Sequence, residues 1–154
     1  RSLDKWNVAS VFGMGEMFRN AASFNQDVNS WDVSSVSQMW SMFEDAIIFD
    51  QPLDKWNVAS VTDMYKMFKN ATSFNQDVNS WDVSKVTYMH EMFFNATNFN
   101  QCLSSWPKLV PEWTCDYCGA NNTFTNSGCP SNVGTPIPQD GPWCQEGNDG
   151  QCFD

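Results

Sequence analysis

One spacing constrains this chain more than any other feature. Trp6, Trp31, Trp56, Trp81 and Trp106 follow one another at a constant step of twenty-five positions. Phe24, Phe49, Phe74 and Phe99 keep the same step, as do Phe18, Phe43, Phe68 and Phe93. The pairs Met14/Met17, Met39/Met42, Met64/Met67 and Met89/Met92 keep it too. A fixed period of roughly 20–50 residues is the signature of stacked repeats. No single unit can bury its own Trp, Met and Phe, so neighbouring units must cover one another. A longer period lies on top: the segment from Leu3 to Val11 recurs unchanged from Leu53 to Val61. The segment from Val28 to Val36 recurs nearly unchanged from Val78, which points to duplication of a pair of coils.

The residues inside one coil suggest three parts. Val28-x-x-Trp31-x-Val33 fits the strand portion of a leucine-rich repeat, with Trp31 and Val33 inward and Asp32 outward. A short helix is expected next. In the third coil Thr62 caps it, Val61, Met64, Met67, Phe68 and Ala71 share one face, and Asn70 ends it. Phe74-Asn75-Gln76 then turns the chain back. The fold class so predicted is α/β: a short right-handed leucine-rich-repeat-like solenoid of about four coils, with parallel strands roughly 4.8 Å apart plus short helices. Two polar ladders are expected along it. Asn7, Asp32, Asn57 and Asp82 alternate so that amides separate the carboxylates. Asn25/Asp50/Asn75/Asn100 and Gln26/Gln51/Gln76/Gln101 are placed to bond from coil to coil.

Composition divides the chain. All six cysteines (Cys102, Cys115, Cys118, Cys129, Cys144 and Cys152) lie in the final third of the 154 residues. An even, clustered set in a Gly/Pro/Asn-rich stretch reads as disulfides made in an oxidising, extracellular compartment. Six cysteines allow fifteen pairings, all left open. The repeat is therefore assigned to 1–106 and a disulfide-rich cap to 107–154. Pro107 and Pro111 mark the break, since a ladder strand needs amide donors. Eighteen acidic against eight basic residues give a net charge of -10, the wrong sign for a reader of phosphate backbones. No apolar run reaches the roughly 18 residues of a membrane span. A start at Arg1 without a Met reads as a processed or truncated product.

The motif F-N-Q-D-V-N-S-W-D-V-S-x-V-[ST]-x-M-x-x-M-F-x-[ND]-A resembles the repeats of BspA-like leucine-rich-repeat surface proteins. That type is common in mycoplasma lipoproteins and occurs in algae and other protists. The resemblance covers about residues 1–106. It implies a secreted or surface-attached protein associated with adhesion, and it implies no catalytic residue. Val36, Val61 and Val86 depart from the usual pattern, standing where a leucine-rich repeat has Asn.

Chemistry-bearing residues have bland explanations in this sequence. For zinc, Cys115-x-x-Cys118 would need two more ligands, such as Cys129 and Cys144, at loose spacing with no nearby His, and no βαβ unit of a thioredoxin-like site surrounds it, so disulfides are the reading. His90, the single histidine, occupies a column filled elsewhere by Gly15, Trp40 and Tyr65, and reads as a surface residue. The eight methionines read as core rather than as soft-metal ligands. No EF-hand or nonapeptide calcium pattern accompanies the acidic residues. No metal, cofactor or enzyme activity is therefore expected. Sequons at Asn70, Asn95 and Asn121 are N-glycosylation candidates, and Thr135-Pro136 is a weaker O-glycan candidate.

A stack of repeats needs closed ends. Leu3 and Trp6 already belong to a full repeat with no cap before them, so either earlier residues precede them in the natural chain or another molecule covers this face; they are the self-association candidates. Head-to-tail contact between copies would build a filament. The functional expectation is an extracellular structural protein of a surface coat or filament, bound to copies of itself. The alternative is an adhesin-like module gripping a protein or glycan through an outward face made of Asp4, Lys5, Asn29, Ser30, Asp54 and Lys55.

Overall fold

A computed structural model of the chain describes Leu3, residues 5–106 and residues 122–129. Four coils of equal length stack on one another: coil 1 (3–27), coil 2 (28–52), coil 3 (53–77) and coil 4 (78–102). Each repeated apolar position forms a column through the stack. Phe18, Phe43, Phe68 and Phe93 stack at centroid spacings of 5.5, 5.5 and 5.4 Å. Phe24, Phe49, Phe74 and Phe99 form a second column at 5.7–6.0 Å. Within a coil the two rings lie face to face, 4.0 Å apart for Phe68 and Phe74. Met39, Met42, Met64, Met67, Met89 and Met92 are fully buried, as core. The tryptophans of the repeated column from Trp31 to Trp106 each reach back to the preceding coil. The indole N–H groups of Trp31, Trp56, Trp81 and Trp106 donate to the carbonyls of Leu3, Val28, Leu53 and Val78.

The expected α/β class is not what forms. No helix occurs among the described residues. Their β pairing is confined to isolated bridge residues: a parallel row joining Gly13, Gln38, Asp63 and Tyr88, and Leu103. The leucine-rich-repeat architecture of strands plus helices is therefore wrong for this chain. The reason is visible in coil 3. An α-helix would send each amide N–H four residues back. Here the N–H groups of Met64, Lys66, Phe68 and Asn70 go instead to the carbonyls of Tyr88, His90, Met92 and Phe94 in the next coil. Those of Met67, Lys69 and Ala71 close tight turns onto Met64, Lys66 and Phe68. Every one of these amides is satisfied without a helix. Lys66 and Asn70 both have positive φ, 57° and 58°, which no right-handed helix permits. The same pair recurs at Glu16/Asn20, Ser41/Asp45 and Glu91/Asn95.

Tandem turns of this kind make a discriminating prediction. Ser41 has φ 52° and a nearly buried side chain. Ser41→Gly removes the left-handed penalty and is expected to raise stability by about 1 kcal/mol. In a helix the same change would lower it by about 0.5 kcal/mol. Urea unfolding of the two proteins reads the sign.

The segment expected to be a strand is also built of turns. Trp31 N–H bonds Val28 O, and Val36 N–H bonds Val33 O. Trp31 and Val33 do point inward and Asp32 outward. The Asn7/Asp32/Asn57/Asp82 column is not a ladder, however. Each side chain caps its own coil, accepting from Ala9, Ser34, Ala59 and Ser84 N–H. The second ladder does form. Asn25, Asp50 and Asn75 each accept, through the side-chain oxygen, the backbone N–H and the Gln amide of the coil that follows.

The stack does not stop at coil 4. Residues 122–129 lie over it in coil register, offset by a longer step than the repeat. Phe124 stacks on Phe93 at 5.6 Å. Phe93 and Asn95 N–H donate to Thr123 and Thr125 O. Asn122 and Asn126 repeat the positive φ of Glu91 and Asn95. Gly128 presses so closely on coil 4 that a Cβ there would sit 2.8 Å from Thr97 O and 2.9 Å from Phe99 O.

Candidate functional site

The two ends of the stack differ in how the columns finish. At coil 1 the apolar columns come to the surface. Trp31 is 3% exposed, but Trp6, one coil earlier in the same column, is 52% exposed. Met17 is 37% exposed where Met42 and Met67 are fully buried. Phe12 is 74% exposed, and it breaks its column. Ser37, Thr62 and Thr87 each donate a hydroxyl to the backbone of the coil before, which Phe12 lacks the group to do. Leu3, Phe18 and Phe24 are only partly buried here.

Backbone polarity gives this end a chemical character. Along residues 14–20 and their repeats, alternate N–H groups point toward the following coil, and the carbonyls that meet them point back. Met14, Glu16, Phe18 and Asn20 N–H donate to Gln38, Trp40, Met42 and Glu44 O. The equivalent carbonyls of coil 1, on Gly13, Gly15, Met17 and Arg19, accept nothing among the described residues. At coil 4 the matching amides face the other way. Those of Phe93 and Asn95 are taken by residues 122–129, and those of Met89 and Glu91 find no acceptor among the described residues.

A charged flank runs beside these edges. Arg19 pairs with Glu16 and, at 3.1 Å, with the buried Glu44. Glu91 receives Lys69 at 2.5 Å and lies 3.9 Å from Lys66. Burial works against the Glu91 charge, but the hydrogen bond from Lys69 and the charges of Lys69 and Lys66 hold its pKa below the usual glutamate value. His90 is not a simple surface residue. It stacks on Tyr65 at 5.9 Å and reaches Glu91 Oε1 at 3.3 Å. Asp63 is shifted the other way, since burial raises its pKa against the N–H bond from Tyr65. The pH dependence follows with opposite signs. The Glu91 contribution is present above the ordinary glutamate pKa and lost as pH falls through the lowered folded value. Asp63 detracts from stability above its raised pKa, and the deficit shrinks as acid protonates it. Glu91→Gln is expected to flatten the acid limb of the stability profile. Asp63→Asn, which keeps an oxygen for Tyr65 N–H, is expected to raise stability at neutral pH. Thermal melts from acid to neutral pH check both.

Against this geometry, the family comparison is informative. The family model described as "Mycoplasma protein of unknown function, DUF285" matches residues 1–106. The chain belongs to this family. The matched stretch is the one that carries the four coils. No curated protein and no solved structure matches the chain. The resemblance to mycoplasma repeat proteins thus holds at the level of the family, while its leucine-rich-repeat part fails on the turns described above.

The DUF285 coils separate the remaining sequence candidates. Lys5, Asp54 and Lys55 are exposed. Asp54 is engaged, accepting from the Asn29 amide at 2.8 Å, while Asn29 Oδ1 takes Lys55 N–H. Asn29 is buried, so of that expected partner face the ammonium groups of Lys5 and Lys55 stay unpaired among the described residues. Asn70 and Asn95 are half-buried in a side-chain ladder: Asn70 donates to Asp45 and Asn95 to Asn70. Their amide nitrogens, the atoms a glycan would take, are already donors. Neither Cys102 nor Cys129 is a free thiol. Asp4, Cys115, Cys118, Asn121, Thr135, Cys144 and Cys152 lie outside the described residues. No group of metal-ligating side chains occurs among the described residues, and no helix among them is long and apolar enough to cross a membrane. Sequence reading missed Phe12, Met17 and the coil-like character of residues 122–129. Comparing Phe12 with Ser37, Thr62 and Thr87 down the column would have found the first. The recurrence of Phe93-x-Asn95 as Phe124-x-Asn126 would have found the last.

Proposed function

We propose that this DUF285 chain is an extracellular structural protein that associates with copies of itself through the ends of its coil stack, as the building block of a surface coat or filament. The observation that carries this reading is the coil 1 end. It joins exposed Trp6, Phe12 and Met17 to a row of carbonyls that accept nothing among the described residues. Large aromatic groups with backbone acceptors beside them are what a stable contact buries. The clustered cysteines, with no free thiol among those described, support an oxidising compartment. No catalysis, metal or cofactor forms part of the reading.

Sedimentation velocity across a wide concentration range tests it. The chain is expected to associate as concentration rises. Phe12→Asp with Met17→Asp changes only exposed positions, so near-ultraviolet circular dichroism should stay native while association is lost. A chain that stays monomeric at the highest concentrations would end the reading. The second reading, an adhesin-like module, is favoured by Lys5 and Lys55, whose ammonium groups are exposed and unpaired among the described residues. It requires a monomer whose binding to an acidic protein or glycan falls on Lys5→Glu with Lys55→Glu.

A further inference from the structure

Duplication left two pairs of matching coils in this chain, coil 1 with coil 3 and coil 2 with coil 4. Between coils 1 and 3, Phe12, Gly13, Gly15, Glu16 and Arg19 stand against Thr62, Asp63, Tyr65, Lys66 and Lys69. Between coils 2 and 4, Ser37, Gln38, Trp40, Ser41 and Glu44 stand against Thr87, Tyr88, His90, Glu91 and Phe94. The same columns differ both times, and only that of Ala22 also differs in both pairs. The Met14, Met17 and Phe18 columns among them never change, because they fill the core. Asn7 and Asp32 recur unchanged as Asn57 and Asp82, since each caps its own coil. Divergence is gathered on one outward strip, residues 12–19 and their repeats.

Drift on a wetted surface favours polar residues. This strip holds aromatic rings instead. Trp40 and Tyr65 are partly exposed, and Tyr88 is 42% exposed. Gly15 makes room for the Trp40 indole, which lies so close that a Cβ there would sit 2.4 Å from the ring. Tyr65 continues the row and stacks on His90 at 5.9 Å. Polar groups stand among the rings. The Gln38 amide, the Trp40 indole N–H and the Tyr88 hydroxyl make no hydrogen bond among the described residues. Asp63 accepts Tyr65 N–H at 2.9 Å on one oxygen and has no ion pair among the described residues. Burial raises its pKa, so the carboxyl carries its charge reluctantly. The other charges satisfy one another: Arg19 pairs with Glu16 and Glu44, and Lys66 and Lys69 with Glu91.

We propose that this strip binds a neutral polysaccharide, with Trp40, Tyr65 and Tyr88 stacking on pyranose rings and Gln38 and Asp63 bonding their hydroxyls. A pyranose has an apolar C–H face and a rim of hydroxyls that both donate and accept. Aromatic surface with a few fixed polar groups matches that chemistry. The three rings come from coils 2, 3 and 4 in turn, so a polymer lying along the stack meets one of them at each coil. The partner is uncharged, because the cations of the strip are already paired and a net charge of -10 repels a polyanion. The site goes beyond the self-association proposed above and does not rest on it.

Electrophoresis through native gels cast with a dissolved polymer tests the proposal. Hydroxyethyl cellulose, galactomannan and laminarin are the neutral probes, and polygalacturonate is the charged one. The parent is expected to be retarded by at least one neutral polymer and not by polygalacturonate. Trp40→Ala and Tyr88→Ala should each weaken the apparent affinity about tenfold. The Tyr88 change is readable even if Trp40→Ala loses the fold, because Tyr88 lies at the surface. Ile48→Ser alters an exposed apolar position outside the strip, where other coils have Ser23 and Ser73, and should bind as the parent does. No retardation by any neutral polymer would overturn the proposal. So would retardation unchanged by both aromatic substitutions, or lost equally in Ile48→Ser, which is the mark of general apolar adsorption. Retardation by polygalacturonate as strong as by the neutral polymers would overturn the uncharged partner. Sedimentation velocity on the same samples separates this site from the coat reading: a monomer that binds polymer ends self-association and keeps the site, and a self-associating chain that binds none does the reverse.

Discussion

Phe68→Ala is expected to lower the folding free energy by about 3–5 kcal/mol, the range for deleting a fully buried aromatic side chain. Phe68 is fully buried at the centre of the stack. Its ring meets Phe43 and Phe93 at 5.5 and 5.4 Å, Phe74 at 4.0 Å and Trp81 at 6.4 Å. Removing it opens a gap in its own column and strips the flank of Phe74, and the coils above and below cannot close on it without breaking the backbone bonds that set their spacing. Phe12→Ala, with the same chemistry at an exposed position, should change stability by less than about 0.5 kcal/mol. Chemical unfolding of the two variants beside the parent reads the contrast. Equal small effects would mean that the rings are not stacked as described.

Removal of residues 53–77 is the second large effect. It deletes coil 3 whole and brings coil 2 onto coil 4. Met39 N–H then finds Tyr88 O, and Phe43 finds Phe93, because every column continues. The shortened chain is expected to unfold in one cooperative transition, less stable by about one coil interface. Asp32 would come to stand next to Asp82, a minor like-charge penalty at exposed positions. Removal of 53–64 instead takes half a coil, leaving too little chain to carry the columns of coil 2 onto the next coil. It should abolish cooperative unfolding beyond coil 2. If both deletions behaved alike, the columns would not be what holds the coils together.

The columns were legible because burial follows the period whatever the backbone does. Trp31, Met39, Phe43 and Phe49 had to face inward in any stacked arrangement, and they do. The backbone itself was not legible. Val61, Met64, Met67, Phe68 and Ala71 have the spacing of a helix face, and tandem turns present the same residues at the same spacing. What decides between them is where alternate N–H groups go, and that acceptor lies in the next coil, beyond any local pattern. Asn70 was readable as a left-handed residue, since Asn tolerates that conformation. Lys66 was not, because nothing in a lysine advertises positive φ. Asn7 and Asp32 were misread as a ladder because their side chains reach their own coil first, two residues on. The repeat alone places Leu3 and Trp6 in coil 1, where Trp6 is exposed and Leu3 partly buried. The place of residues 122–129 on coil 4 is legible only from the short match of Phe93-x-Asn95 to Phe124-x-Asn126, because their step from Phe93 departs from the period. The expected Asp54 contact face lost polar groups to Asn29 for a related reason: a bond between coils is not written in the sequence of either.

Electron microscopy of the native protein, purified without reduction, tests the central claim most directly. Copies that dock end to end in register should form filaments with an axial repeat longer than about 20 Å, since residues 122–129 add a layer to the four coil rises. Dispersed single particles at every concentration would contradict the claim that the ends of this stack are made to meet.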